Sequence, residues 1–341
     1  MKKKILVTGG LGYIGSHTVV ELITAGYEVI IVDNLSNSEL MILDGIEKIT
    51  GEKPVFYKVD ITDNEAFDEV FAKENNIMGI IHFAAFKAVG ESVDKPLMYY
   101  RNNINGIINV LTLMKKYSVN NLVFSSSCTV YGQPEQLPVT EKTEIAEASS
   151  PYGNTKIICE QIITDQTKTE KNLNAISLRY FNPIGAHKSA LIGELPIGVP
   201  NNLIPYITQT AVGKLACLNV FGGDYNTVDG TAVRDYINVV DLAKAHIKAV
   251  ERLLDKKLNS GHEFFNVGTG KGVSVMEIIN CFQKVNNIKL PYKIVDRRKG
   301  DIEKIWADTK KANEILLWKA ETSLEDTLLS AWNWGKKFGK K

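Results

Sequence analysis

Two hydrophobic periods alternate through the first half of the chain. Short β-branched runs recur at Lys4–Thr8, Glu28–Asp33, Val55–Val59, Gly79–Phe83, Asn121–Ser125 and Asn174–Arg179. Between them lie amphipathic segments such as Ile14–Ala25, Asn64–Glu74 and Asn103–Tyr117. Strands that alternate with helices pair in parallel through crossovers, which predicts an α/β fold with a doubly wound parallel sheet. Ser150 is a good N-cap and Pro151 suits a first helical position, so a further helix should start there.

Beyond Phe181 the regular pattern breaks. Glycine, proline and asparagine crowd Asn182–Asn202, which reads as a long loop, and long loops inside a domain are often functional. Val239–Arg252 is periodic as a helix, with Asp241 in its first turn, and Phe264–Val267 reads as a short strand. These two return to the first domain. The expected division is interleaved: residues 1–181 with return segments near 236–270 form one domain, and 182–235 with 271–341 form a smaller α/β lobe.

Composition narrows the partners. The chain has 341 residues and a formal net charge of +1, so no electrostatic case arises for nucleic acid or a membrane surface. Four cysteines, Cys128, Cys159, Cys217 and Cys281, are widely spaced without a C-x-x-C, as in a reducing, cytoplasmic setting. Met1-Lys2-Lys3-Lys4 is followed only by Ile5-Leu6-Val7 before glycine, too short an apolar run for a secretory signal. The five histidines lack metal-ligand spacing, so no metal is expected, and His82 reads as a buried structural residue.

The first candidate chemistry is a phosphate-binding turn. Ile5-Leu6-Val7 leads into Gly9, Gly12 and Gly15, a G-x-x-G-x-x-G between strand and helix. Absent side chains let the backbone turn tightly and approach a pyrophosphate, and the helix N-terminus supplies N–H groups. Asp33 closes the next strand, where a carboxylate accepts both ribose hydroxyls. Nothing basic follows in Asn34-Leu35-Ser36-Asn37, so NAD is favoured over NADP.

The second is Tyr152 and Lys156, four residues apart and therefore on one helix face, with Ser125-Ser126-Ser127 upstream. A free phenol titrates at about 10 and is a poor base at neutral pH. A nearby ammonium favours the phenolate, and a positive nicotinamide ring favours it further. Such a tyrosine can take a proton from an alcohol as hydride leaves the same carbon, with Ser127 relaying the proton or holding the substrate. That is alcohol–ketone redox chemistry without a metal. Cys128, beside Ser127, reads as a packing residue.

These residues resemble the extended short-chain dehydrogenase/reductase family over about Lys4 to Trp334. Thr8-Gly9-Gly10-Leu11-Gly12-Tyr13-Ile14-Gly15-Ser16-His17 and Ser125-Ser126-Ser127-Cys128-Thr129-Val130-Tyr131-Gly132 mark the broad family. Within it, the branch that epimerises UDP-sugars at C4 is indicated by His82 to Ser92, Arg179 to His187, Pro200 to Tyr206, Thr231 to Tyr236 and Arg297 to Asp301. The resemblance implies a tightly held NAD that is not consumed, UDP-galactose and UDP-glucose as substrates, and a homodimer formed through helices such as Asn103–Tyr117 and Tyr152–Gln166. It implies that Tyr152, assisted by Ser127, takes the proton from the sugar 4-hydroxyl while hydride passes to nicotinamide. The 4-keto sugar then turns and receives both on its other face. Lys156 holds the nicotinamide ribose and tunes Tyr152.

By the same resemblance Tyr13, Ile14, Asp33, Asn34, Asp60, Ile61, Phe83, Ala84, Lys87 and Asn102 line the NAD site, and Tyr180 and Phe181 flank the nicotinamide. Asn182, Asn202, Leu203, Phe221, Arg234, Arg298 and Asp301 hold the UDP part. Arginine suits a diphosphate, and Phe221 can pack on uracil. The plainer roles are an Asp60 that only caps a turn, a solvated Lys87, and an Arg234 paired with Asp235 or another acid. One position departs from the family pattern. The residue before Trp306 helps set the space around the sugar 2-substituent, where tyrosine restricts N-acetylated sugars and a small residue admits them. Ile305 is intermediate, which leaves UDP-N-acetylglucosamine and UDP-N-acetylgalactosamine open. Other nucleotide-sugar enzymes of the scaffold are the nearest alternatives. A 4,6-dehydratase needs carboxylates after the active-site strand, and Ser127-Cys128-Thr129-Val130 has none. A non-catalytic NAD-binding regulator has no need of Ser127, Tyr152 and Lys156 together.

Overall fold

Strand β1 (Lys4–Thr8) sends Ile5 and Val7 into one apolar cluster and Leu6 into another, the two-residue alternation of an extended chain buried on both faces. The same division runs through β2 (Glu28–Asp33), β4 (Ile77–His82), β5 (Asn121–Ser127) and β6 (Asn174–Tyr180), while β3 (Val55–Lys58) closes one edge. With His262–Val267 they form a seven-stranded sheet, ordered His262–Val267, β6, β5, β4, β1, β2, β3, and every pair is parallel. The structure is a computed structural model that describes residues 2–196, 198, 200, 202–298 and 301–337. Asn201, Lys299 and Gly300 of the sequence motifs lie outside the described residues.

Helices cover both faces. α1 (Tyr13–Thr24) and α2 (Met41–Thr50) bury their apolar sides in the cluster of Ile5 and Val7. α3 (Asn64–Lys73), α5 (Pro96–Lys116) and α6 (Pro151–Thr169) serve that of Leu6, and the short α4 (Val89–Asp94) precedes α5. The strand order reverses between β1 and β4, which opens a crevice at the carboxyl ends of the strands.

The remaining chain builds a third cluster. It joins Ile204 and Ile207 of α7 (Leu203–Ala211), Leu218 and Val220, Ile278, Ile279 and Phe282, and Leu328 and Ala331. α8 (Val239–Leu254) packs instead with α1 on the first cluster. Asn182–Asn202 is not wholly loop, since Asn182–Ile184 pairs in parallel with Tyr236–Asn238. A three-residue strand has no period to detect. Among the described residues no helix is long and apolar enough to cross a membrane.

Candidate active site

At the end of β1 the chain turns with Gly9 at φ +69°, its N–H donating to Val32 O at 2.7 Å. A Cβ on Gly15 would lie 2.1 Å from Gly9 O, and one on Gly9 would lie 2.8 Å from Ala84 N, so turn, helix and the loop after β4 meet backbone to backbone. Gly12 is the N-cap of α1 and makes no side-chain cap bond. The first-turn N–H groups of α1 therefore remain for another acceptor. Asp33 is locked to this turn: its carboxylate accepts from Leu11 N at 3.0 Å, Leu35 N at 2.9 Å and Ser38 Oγ at 2.8 Å.

Next to it, Asn34 Nδ2 donates to Asp60 Oδ2 at 2.9 Å, and Thr62 donates twice to Oδ1. Burial works to raise the Asp60 carboxyl, but these bonds outweigh it and hold the group below its usual range. Asp60 thus both caps a turn and fixes Asn34. Ile61 is buried against α5, and Ile14 packs on the first core cluster. Tyr13 donates to Gly185 O at 2.7 Å. Phe83 and Tyr180 flank the buried His246, with ring centroids 4.7 and 6.0 Å away. Lys87 is not a free solvated charge, because it pairs with Glu194 at 3.3 Å. Asn102 donates to Asn103 Oδ1 at 3.0 Å, and Asn103 clamps Phe86 through both backbone groups and reaches Thr155 on α6.

α6 starts as the sequence requires, with Ser150 Oγ accepting from Gly153 N at 3.2 Å and Pro151 at the first position. Its stripe of Tyr152, Lys156 and Glu160 faces the end of β5. Lys156 Nζ donates to Ser125 O at 2.7 Å and lies 5.8 Å from the centroid of the Tyr152 ring. Ser127 lies beside Tyr152, where its hydroxyl favours the phenolate. Burial pushes the Tyr152 phenol up to about 12, and the Ser127 hydroxyl only partly opposes this. Burial also lowers Lys156 to about 8. The sequence suggests that lysine lowers the tyrosine; here burial dominates instead, and the Lys156 ammonium is directed at the Ser125 carbonyl.

Sequence reasoning missed the support beneath these groups. Ser126 Oγ donates to Glu160 Oε1 at 2.6 Å, Arg179 makes a two-pronged bond to the same carboxylate, and Tyr131 and Asn266 extend the chain of bonds. Glu160 continues the Tyr152–Lys156 spacing by one more turn, and that was the available signal. Ser125 Oγ also bonds Tyr180 OH.

On the opposite wall, Asn182 N donates to Asp235 O at 2.9 Å, and Asn202 is the N-cap residue preceding Leu203 of α7. The Arg298 guanidinium stacks 4.0 Å from the Phe221 ring centroid. Arg234 pairs with Asp301, not with the adjacent Asp235. Asp235 turns inward, where it accepts from Thr269, Gly270 and Ala307. Ile305 is 1 % exposed, pairs with Arg234 in register, and packs with Cys128 and Phe181. Phe181 thereby joins the β5 end to this wall. Among the described residues no group of three or more His, Cys, Asp or Glu is arranged to hold a metal ion.

A family model described as GDP-mannose 4,6 dehydratase matches residues 6–330. The UDP-glucose 4-epimerase of Haemophilus influenzae is 52% identical over 332 residues, covering 97% of each chain. The chain belongs to the UDP-glucose 4-epimerase family. Two solved UDP-glucose 4-epimerases have nearly the same fold. That of Bifidobacterium longum, in complex with NAD+ and UDP, superposes with a TM-score of 0.94 at 46% identity over 98% of both chains. That of Stenotrophomonas maltophila, with bound NAD and formylated UDP-arabinopyranose, gives 0.95 at 46% over 99% of both. This epimerase-family chain also keeps the wider short-chain dehydrogenase/reductase motifs at Gly9–Gly15 and Ser125–Gly132.

Proposed function

We propose that the protein interconverts UDP-galactose and UDP-glucose by 4-epimerisation, with NAD tightly bound and regenerated in each cycle. The observation that carries this reading is the convergence of Ser127, Tyr152 and Lys156 where β5 ends in the crevice. The glycine turn fits a dinucleotide: Cβ atoms would fill the cradle, the α1 N-terminus has no side-chain cap, and Asp33 is held for ribose hydroxyls. Asn34, Asp60, Ile61, Tyr13, Ile14, Phe83, Ala84, Lys87 and Asn102 complete the proposed NAD site, with Tyr180 and Phe181 beside the nicotinamide. When bound, NAD supplies the hydride acceptor and the returning hydride, with a positive ring beside the phenol.

Tyr152 takes the proton from the sugar 4-hydroxyl and returns it to the same oxygen after the 4-keto sugar has turned its other face to the cofactor, and Ser127 orients both groups. Lys156 favours the phenolate and holds the nicotinamide ribose. Asn182, Asn202, Leu203, Phe221, Arg234, Arg298 and Asp301 anchor UDP, so the sugar can turn about its diphosphate link while the anchor stays fixed. One base can then serve both faces. The residues after β5 offer no carboxylate for water loss, which favours epimerisation over the dehydration named by the broader family model.

A second reading, activity on UDP-N-acetylglucosamine, rests on Ile305, which is less bulky than tyrosine. The interleaved division at 1–181, 182–235, 236–270 and 271–341, a cytoplasmic location and a homodimer belong to the same proposal. Exposed Val93, Leu97 and Ile108 on α4 and α5 support the dimer. The test is incubation of purified protein with UDP-galactose, without added NAD, and chromatographic separation of the products. UDP-glucose is expected. No conversion, even with NAD added, rejects the assignment.

A further inference from the structure

We propose that Glu194 is a positioning residue that couples the cofactor side of the crevice to the UDP side; this deepens the functional reading above and rests on it. Glu194 belongs to neither set of expected site residues, yet its carboxylate holds one member of each. Oε1 accepts from Asn202 Nδ2 at 2.6 Å and lies 3.3 Å from Lys87 Nζ. Its side chain is only 11% exposed.

The backbone beneath is fixed independently. Gly193 lies flat on the Trp334 indole, where a Cβ would come within 2.5 Å of Cγ. Trp334 Nε1 donates to Glu194 O at 2.8 Å. The carboxylate is therefore presented from a braced segment.

Its effect on Asn202 follows from helix capping. An asparagine before a helix normally turns its side chain onto the first-turn N–H groups. Asn202 occupies that position for α7 but makes no side-chain cap bond, and its Nδ2 donates to Glu194 instead, which fixes where the amide is held. Glu194 thus positions Asn202 beside an α7 N-terminus that has no side-chain cap and can face the UDP diphosphate. On the other side it gives Lys87 a partner that directs the ammonium across the Tyr13 ring, 5.9 Å from its centroid. Removing the carboxylate should release both residues together.

The experiment measures UDP affinity by calorimetry and NAD retained through gel filtration, with thermal melts to check folding. Glu194→Ala should weaken UDP about tenfold, the scale of one charge-assisted hydrogen bond, and should also shed NAD. Glu194→Gln keeps an acceptor for Asn202 but loses the charge. It should bind UDP within about twofold of wild type and shed NAD to the same extent as Lys87→Met. Wild-type behaviour of Glu194→Ala in both readouts overturns the proposal. So does a Glu194→Gln variant that loses UDP tenfold, and that comparison still decides if the alanine variant does not fold. A wild-type protein that binds no UDP would instead overturn the functional reading itself.

Discussion

Tyr152 is the residue on which the chemistry turns, and its substitution by phenylalanine removes one oxygen. We expect Tyr152→Phe to retain fold and NAD while epimerisation falls about a hundred- to ten-thousandfold, the range for loss of a general base. Full activity of that variant would rule Tyr152 out as the base. Lys156 gives a pH signature. The active pair is a Tyr152 phenolate beside a Lys156 ammonium, and burial sets the phenol at about 12 and the ammonium at about 8, so activity should rise with pH up to about 8 and level off above it. A rate that keeps climbing about tenfold per pH unit beyond about 8, with no break, would contradict that role. The Tyr152–Lys156 spacing and the three glycines were legible because each is a local pattern. The Glu160–Arg179–Ser126 bonds were not, because they join three elements distant in the chain. The Glu194 contacts likewise join positions that no periodicity relates.

At the scale of elements, α6 and the glycine turn carry the site. Ser150→Ala removes the bond to Gly153 N and should cost about 1 kcal/mol, read as a lower urea midpoint with unchanged m-value. Gly15→Ala brings a methyl against the Gly9 carbonyl, where no flexible side chain can give way. That variant should lose NAD on gel filtration even if it folds, and normal NAD content would contradict the assigned cradle. Strand positions were easy to read because runs buried on both faces leave little ambiguity. The start of α5 was not. The helix begins at Pro96, but Leu97 is 79 % exposed and spoils the apolar stripe over the first turns. α2 went unread as well: its apolar residues Ile42, Leu43 and Ile46 occupy barely one turn beyond a polar loop.

For the whole molecule, buried histidines predict acid sensitivity. Burial lowers His17, His82 and His262 to about 3 and His246 to about 4, so each is neutral when folded. Unfolded histidines titrate near 6.5 and bind protons first, so stability is full above about 6.5 and is lost as pH falls towards about 3. Each contributes on the order of 1–2 kcal/mol of destabilisation at about pH 5. Urea unfolding should show a clearly lower midpoint at about pH 5 than at about pH 7, and equal midpoints would contradict neutral burial. The central claim spans the molecule as well, because the sugar must give up and regain the same hydrogen without leaving its UDP anchor. The most direct test is UDP-galactose deuterated at C4, converted in ordinary water and examined by mass spectrometry. UDP-glucose that keeps its deuterium is the predicted result, and deuterium lost to solvent would contradict the account.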